Sequence, residues 1–199
     1  MYPTAAAQPG WVVAADLGSG LNPASGRAHH LGGRVAGTLG PLSIMAGAGA
    51  WDAASGTSVQ WGGTVGIRAL GPNAPLALFA VAGGGAVRAG PSDTAATYWT
   101  FPMGLAVTWR QGGAAPRAVT PWLFPRIQID RVAFAGARAT QLGAGLGAGV
   151  SADLTARLGL HGGLEWLHQF RWAGPVLTLE GGERVTMGVG AYWRVSHAP

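Results

Sequence analysis

Residues 94–110 constrain the fold most strongly, because their side chains sort by parity into two unlike sets. The odd positions from Trp99 to Trp109 are all apolar, whereas the even positions from Tyr98 to Thr108 are small or mostly polar. Successive residues of a strand point to opposite faces, so this segment is predicted to be a strand with one apolar face. A tilted strand of about ten residues rises about 25 Å, the height of the lipid-facing band of a transmembrane barrel. Tryptophan at both ends of the apolar face indicates a strand that crosses a membrane.

The composition supports a membrane environment without spanning helices. Only 11% of the 199 residues are charged, whereas about 25% is usual in a soluble domain. The sequence has no run of about 18 apolar residues that could form a transmembrane helix, and its 35 glycines interrupt helix-forming segments. Backbone groups in lipid must pair within the chain, so a closed barrel is the expected solution.

The net charge of +5 comes from arginines scattered singly along the chain. They do not cluster with aromatic residues, so no nucleic-acid partner is expected. Residues 1–9 are expected to form a flexible segment, and residues 10–196 a single barrel domain. The sequence does not open with a secretory apolar region, but its opening residues MYPTAAAQPG include small residues such as flank a cleavage site. We therefore expect that a signal peptide has been removed from the numbered chain.

Ten strand candidates follow one another, with an eight-stranded barrel as the alternative. An even number of antiparallel strands places both termini on one side of the membrane. Prolines in the seventh candidate predict a bend or bulge there. The candidates span residues 10–18, 28–39, 42–51, 58–69, 75–88, 94–110, 118–131, 138–151, 155–168 and 183–195.

The connections and the tryptophans are expected to mark the two ends of the barrel. Short turns follow even-numbered strands, and longer connections follow odd-numbered ones, at residues 20–27, 52–57, 89–95, 132–137 and 169–182. Indole rings favour membrane interfaces. Three are predicted at the periplasmic ends of strands, Trp11, Trp109 and Trp193, and four at the external ends, Trp51, Trp61, Trp99 and Trp166.

The chain resembles the small outer-membrane β-barrel proteins of Gram-negative bacteria. The resemblance covers nearly the whole chain and rests on the alternation, the aromatic girdles and the final strand VTMGVGAYWRV. In that family the last strand commonly ends on an aromatic residue, whereas here RVSHAP follows Trp193. The resemblance implies a bacterial outer-membrane location, in contact with lipid or detergent. It carries no catalytic motif, and a monomer is expected.

Polar residues on the opposite parity are predicted to line the lumen as an ion-pair network. Asp16 and Arg34 are expected to meet, because each lies about five positions from the periplasmic end on neighbouring strands. Five inward arginines outnumber three inward carboxylates, so a remaining water path would prefer anions. The predicted network is Asp16, Arg34, Arg68, Arg126, Asp130, Arg157, His161, Glu165, Tyr192 and Arg194.

Large inward side chains are also expected to plug a barrel of this size. Tyr98, Trp122 and Tyr192 are the candidates. If they close the lumen, the external loops become the functional surface, and the apolar segment from Trp172 to Leu179 is the expected site for an unidentified partner.

No catalytic, cofactor or metal site is expected. His161 and Glu165 share a face but lie about 13 Å apart along one strand, too far for a hydrogen-bonded dyad. His29 and His30 are adjacent, so they point to opposite faces and cannot bind one metal ion together.

Three functions stay open. The favoured one is an integral outer-membrane barrel with a structural, surface-interaction or small anion-preferring pore role. The first alternative is a soluble, lipocalin-like ligand-binding barrel with the apolar faces inside, which would crowd at least seven tryptophans into a small lumen. The second alternative is an outer-membrane lipid-modifying hydrolase, which would need a serine, a histidine and a carboxylate in contact.

Overall fold

The computed structural model shows one closed barrel of ten antiparallel strands, so the ten-stranded prediction is confirmed. It describes residues 10–22, 29–53, 56–70, 76–89, 96–109, 118–174 and 178–195. The expected flexible segment 1–9 lies outside them. Each strand pairs with its neighbours in the sequence, and the barrel closes where the first strand pairs with the last. The barrel strands are β1 (Trp11–Gly20), β2 (His29–Leu39), β3 (Leu42–Ala53), β4 (Gly56–Arg68), β5 (Leu76–Ala89), β6 (Ala96–Trp109), β7 (Val119–Phe134), β8 (Ala137–Asp153), β9 (Leu158–Gln169) and β12 (Gly182–Arg194).

A short hairpin of β10 (Trp172–Ala173) and β11 (Thr178–Leu179) connects β9 to β12. The side-chain amide of Gln141 on β8 donates hydrogen bonds to the carbonyl oxygens of Phe170 and Glu180, at 2.8 and 3.0 Å. These two bonds attach both arms of the connection to the barrel wall. We call the end of the barrel where β1 begins and β12 ends the terminal end, and the opposite end, which carries this hairpin, the distal end.

The predicted apolar faces point away from the lumen. Leu31, Val59 and Leu164 are 62%, 63% and 55% exposed, whereas inward neighbours such as Arg34 and Asp16 are buried. The alternative in which the apolar faces line the lumen is therefore wrong. An apolar outer surface is stable in contact with lipid, because contact with hydrocarbon avoids the free-energy cost of exposing apolar side chains to water.

The predicted alternation of short and long connections is wrong at three places. Only residues 54–55 separate β3 from β4, and the two-residue turn Ala135–Gly136 connects β7 to β8. Both turn residues have positive φ, 48° and 80°, the conformation that a tight hairpin turn requires. Residues 110–118, predicted as a short turn, separate β6 from β7. Small and polar residues beside these turns pair across the ladder, and composition alone therefore misplaced the strand ends.

The prolines of β7 affect one side of the strand only. β7 keeps one register with β8 from Val119 to Phe134, so the predicted bulge is absent there. Pairing with β6 stops at Gly104 and resumes at Val107. Pro125 lies opposite this gap, and its missing N–H explains the interruption.

Six of the seven predicted interface tryptophans point outward. Trp11, Trp109 and Trp193 are exposed at the terminal end. Toward the distal end, Trp99 and Trp166 lie within three residues of a strand end, whereas Trp61 lies five residues from the start of β4.

Trp51 is the exception, because it has the parity of the buried Met45 and faces the lumen. It lies opposite His30 in the ladder, and the two rings are 5.2 Å apart. The alternation of side chains along β3 turns the Trp51 indole into the lumen, although indole rings favour the membrane interface.

Leu164, at the middle of β9, tests the outward face. We expect Leu164→Arg to lower the free energy of unfolding in lipid vesicles by about 2–4 kcal/mol, because it places a charge in the lipid-facing band. The matched control Leu164→Met should cost less than about 1.5 kcal/mol. Urea titrations followed by tryptophan fluorescence measure both values, and equal stability of the two variants would contradict contact with lipid.

Candidate functional site in the barrel lumen

An ion cluster of Asp16, Arg34 and His161 lies near the middle of the lumen. Arg34 Nη1 is 3.1 Å from Asp16 Oδ2, and His161 Nε2 is 2.5 Å from Asp16 Oδ1. The predicted meeting of Asp16 and Arg34 is thus confirmed. Its geometry differs from the prediction, because Arg34 is paired with Ala14 in the ladder and reaches Asp16 diagonally. The cluster joins β1, β2 and β9.

The imidazole of His161 contacts both charged partners of this cluster and the Tyr192 ring. Its Nε2 atom also lies 3.0 Å from Arg34 Nη2, so it faces a carboxylate and a guanidinium together. The ring stacks on Tyr192 at 6.1 Å. Gly190 lies opposite His161 in the ladder, and a Cβ there would be 2.6 Å from Nε2. The glycine therefore leaves the space that the imidazole occupies.

A second ion pair crosses the glycine-rich face of β8. Arg126 on β7 donates to Glu165 Oε1 on β9 at 2.6 Å, and its guanidinium lies 5.7 Å from the Phe124 ring. The β8 residues opposite these two partners are Gly145 and Gly147. Because they have no side chains, the arginine and the glutamate can meet above the intervening strand. The glycine repeat of β8 thus serves lumen packing.

A polar cluster around Asp130 occupies the distal half of the lumen. Gln128 and Gln169 donate to its carboxylate at 2.8 and 2.6 Å, and Thr100 also donates to it. Arg184 Nη2 is 3.8 Å from Oδ2. Gln169 and Arg184 were missing from the predicted network, although the inward parity of Arg184 on the last strand could have revealed it. On the opposite wall, Gln60 and His30 are hydrogen-bonded at 2.6 Å.

A fourth carboxylate, Asp153, lies at the terminal end and was also missed, because the predicted eighth strand stopped two residues short of it. Arg194 Nη2 is 2.5 Å from Asp153 Oδ1, and the Tyr192 hydroxyl donates to the same oxygen. Arg194 also stacks on Tyr192 at 5.6 Å. These contacts tie the end of β8 to the last strand beside the closing seam.

The lumen position predicted for Arg157 is wrong. Arg157 is exposed in the turn 154–157, and β9 begins one residue later. The backbone N–H of Arg157 donates to Thr155 Oγ1 at 3.2 Å. Arg68 does face inward, but it packs over the Phe79 ring at 5.3 Å, and its buried Nε atom has no hydrogen-bond partner among the described residues.

Apolar side chains fill the terminal half of the lumen. Phe79, Val81, Ala106, Trp122 and Phe124 form one buried cluster. The Trp122 ring lies against the backbone of two glycines: a Cβ at Gly149 or Gly163 would be 2.5 or 2.6 Å from it.

Tyr192 packs with Val12 and Ala14 at the seam between the first and last strands. Tyr98 does not contribute to the plug, because it is 43% exposed at the distal end.

The lumen charges nearly balance once these corrections are made. The predicted excess of five arginines over three carboxylates is wrong, because Arg157 leaves the set while Arg184 and Asp153 join it. The inward arginines among the described residues are Arg34, Arg68, Arg126, Arg184 and Arg194, and the inward carboxylates are Asp16, Asp130, Asp153 and Glu165.

The described residues contain no group of three or more histidines and carboxylates placed to bind a metal ion. No helix in this part of the chain is long and apolar enough to span a membrane. His29 and His30 point to opposite faces, as their parity predicts.

Similar proteins were found by structure only. No known protein family and no curated protein matches the sequence. The translocator domain of the autotransporter NalP from Neisseria meningitidis is 13% identical, with 94% of this chain and 89% of that one covered and a TM-score of 0.50. The β domain of the Bordetella autotransporter BrkA is 15% identical, with coverages of 92% and 98% and the same TM-score. The fold is that of bacterial outer-membrane barrels. Identities this low show the fold alone.

Asp16 tests the central cluster. We expect Asp16→Asn to lower the free energy of unfolding by about 3–5 kcal/mol, because it leaves the buried Arg34 guanidinium without its counter-charge. The control Asp52→Asn removes an exposed carboxylate and should change stability by less than about 0.5 kcal/mol. Equal effects of the two substitutions, measured by urea unfolding in vesicles, would show that the cluster does not stabilise the barrel.

Proposed function

We propose that this chain is an integral outer-membrane barrel with a plugged lumen, and that its role is structural or lies in interaction at its distal surface. The main support for the membrane location is the composition of the outward face of the barrel. Apart from the last four residues at the distal end of each strand, the described outward strand positions hold no arginine and no carboxylate. Such a band matches the hydrocarbon layer of a membrane. The two autotransporter domains of similar fold support the same environment, and lipid is the proposed partner of the band.

A closed lumen is preferred to a pore because of what fills it. The apolar cluster around Trp122 blocks the terminal half, and the Arg126–Glu165 and Asp16–Arg34 pairs cross the middle. Ion conduction needs a continuous water path, which packed side chains remove. The near balance of inward charges also takes away the reason for anion preference.

We propose a non-enzymatic role because, among the described residues, no serine hydroxyl is hydrogen-bonded to a histidine, as the hydrolase alternative requires. Ser151 is the ladder partner of His161, but its hydroxyl donates to the Thr120 carbonyl at 3.4 Å. Both Ser151 and His161 are buried, and they share one row of the ladder with Gly190 and Asp16. The His161 Nε2 atom already contacts Asp16 and Arg34, so a substrate would have to displace these contacts to use the imidazole.

The distal surface is the proposed site of interaction, with the terminal end in the periplasm. The longest connection, from Phe170 to Gly181, is at the distal end, and longer external loops are typical of outer-membrane barrels. The predicted surface from Trp172 to Leu179 forms, where described, the β10–β11 hairpin that Gln141 holds to β8.

Insertion into lipid is the first test. The protein, refolded into phosphatidylcholine vesicles, should be rich in β structure and should migrate differently on a gel when unboiled than when boiled, because a barrel without free edges resists denaturation. Leu164→Arg serves as the impaired control. A monomer fully soluble without amphiphile at ordinary concentrations would contradict the proposed membrane location.

Conductance is the second test. In planar bilayers the wild-type barrel should give no steps, whereas Trp122→Ala combined with Phe124→Ala should open small ones by removing the plug. The control is Leu105→Ala combined with Trp109→Ala, which truncates outward side chains and should stay silent. Gel migration of unboiled samples first identifies the folded variants. Large wild-type channels would contradict the plugged lumen.

A further inference from the structure

The outward charges of the barrel are confined to one end and separated by sign. All the arginines and carboxylates at outward strand positions, within the described part of the chain, lie at the distal end. Arg88 on β5, Arg131 on β7 and Arg138 on β8 are exposed on one side, and we call them the arginine patch. The outward carboxylates, Asp52 and Glu183, lie on β3 and β12. One side of the distal rim is therefore cationic.

The ladder brings the three arginines together. Arg88 is paired with Thr97, Thr97 with Ala133, and Ala133 with Arg138, so a single row of residues crosses four strands. At about 4.8 Å between neighbouring strands, the backbones of Arg88 and Arg138 lie about 14 Å apart. Arg131 is two residues from Ala133 on the strand between them. Long guanidinium side chains at this spacing can reach one headgroup or two adjacent ones.

The arginine patch also adjoins the apolar band. Arg131 lies opposite Trp99 in the ladder, and Ile129 and Phe101 follow on the same outward face. Arg131 and Arg138 form no ion pair or side-chain hydrogen bond with another described residue. An occupant that satisfies this surface needs an anionic head beside the arginines and apolar chains beside Trp99.

We propose that the arginine patch binds the phosphate groups of lipids in the leaflet at the distal end. The guanidinium group forms two parallel hydrogen bonds with phosphate oxygens, which favours phosphate as the anion. Basic residues next to an interfacial tryptophan lie at the depth of lipid headgroups. The inference rests on the proposed membrane location and assigns lipid of one chemical class to one side of the barrel.

The test uses the folded barrel in a nonionic detergent and native mass spectrometry. Phosphatidic acid is titrated against diacylglycerol with the same acyl chains, so that only the phosphate differs. The wild type should prefer phosphatidic acid, and Arg131→Gln and Arg138→Gln should each weaken its binding about fivefold. Combining the two substitutions should weaken it about 30-fold. Arg157→Gln, which removes an equal charge from the terminal end, should change it by less than about twofold.

The outcomes separate this inference from the membrane proposal. If the chain inserts into neutral phosphatidylcholine vesicles but shows no preference for phosphatidic acid, the proposed lipid binding by the arginine patch is wrong, whereas the membrane location stands. Equal losses in Arg131→Gln and Arg157→Gln would also overturn it, since net charge alone would then explain binding. Inorganic phosphate that competes as well as phosphatidic acid would overturn the assignment to lipid, because the arginine patch would then be a simple anion site. Failure to insert would overturn both proposals.

Discussion

The alternation of side chains along each strand is the constraint on which this barrel depends. A strand offers two faces, and here one contacts lipid while the other packs inside the lumen. A shift of one residue in any register would bury leucines and turn arginines toward hydrocarbon. The regular registers of all ten pairings, from Val12 opposite Arg194 to Gly143 opposite Gln169, keep the two sets apart around the full circumference.

Inside the barrel, the glycine positions decide which large side chains can be accommodated. Trp122 rests on Gly149 and Gly163, and His161 rests against Gly190. Each ring takes the volume that a neighbouring strand leaves empty, so the lumen is filled without widening the barrel. The polar clusters then join strands that do not pair directly, as Arg126 and Glu165 do across β8. Apolar packing and ion pairs thus both fill the lumen, at different depths along the barrel axis.

The sequence predicted what depends on parity and missed what depends on strand ends. The number of strands, the outward face and the meeting of Asp16 with Arg34 follow from side-chain alternation and from the order of the strands along the chain. Both can be read from a single sequence. Asp153 and Arg157 were misassigned because the turn between β8 and β9 begins two residues later than composition suggested. Trp51 was assigned by its chemistry, although its parity with Met45 pointed inward. Contacts such as Asp130 with Arg184 join strands far apart in sequence, and only the closed barrel brings them together.

The pairing of β1 with β12 has a consequence for the order of folding. These strands stand at opposite ends of the described chain, yet Val195 donates to the carbonyl of Trp11 at 2.8 Å, and Tyr192 packs on Val12. Until the last strand arrives, β1 keeps an unpaired edge that hydrocarbon cannot solvate. A partial sheet therefore has no stable position within the bilayer. The step that closes the ring must come late and depend on contacts of large sequence separation, which makes assembly slow and cooperative.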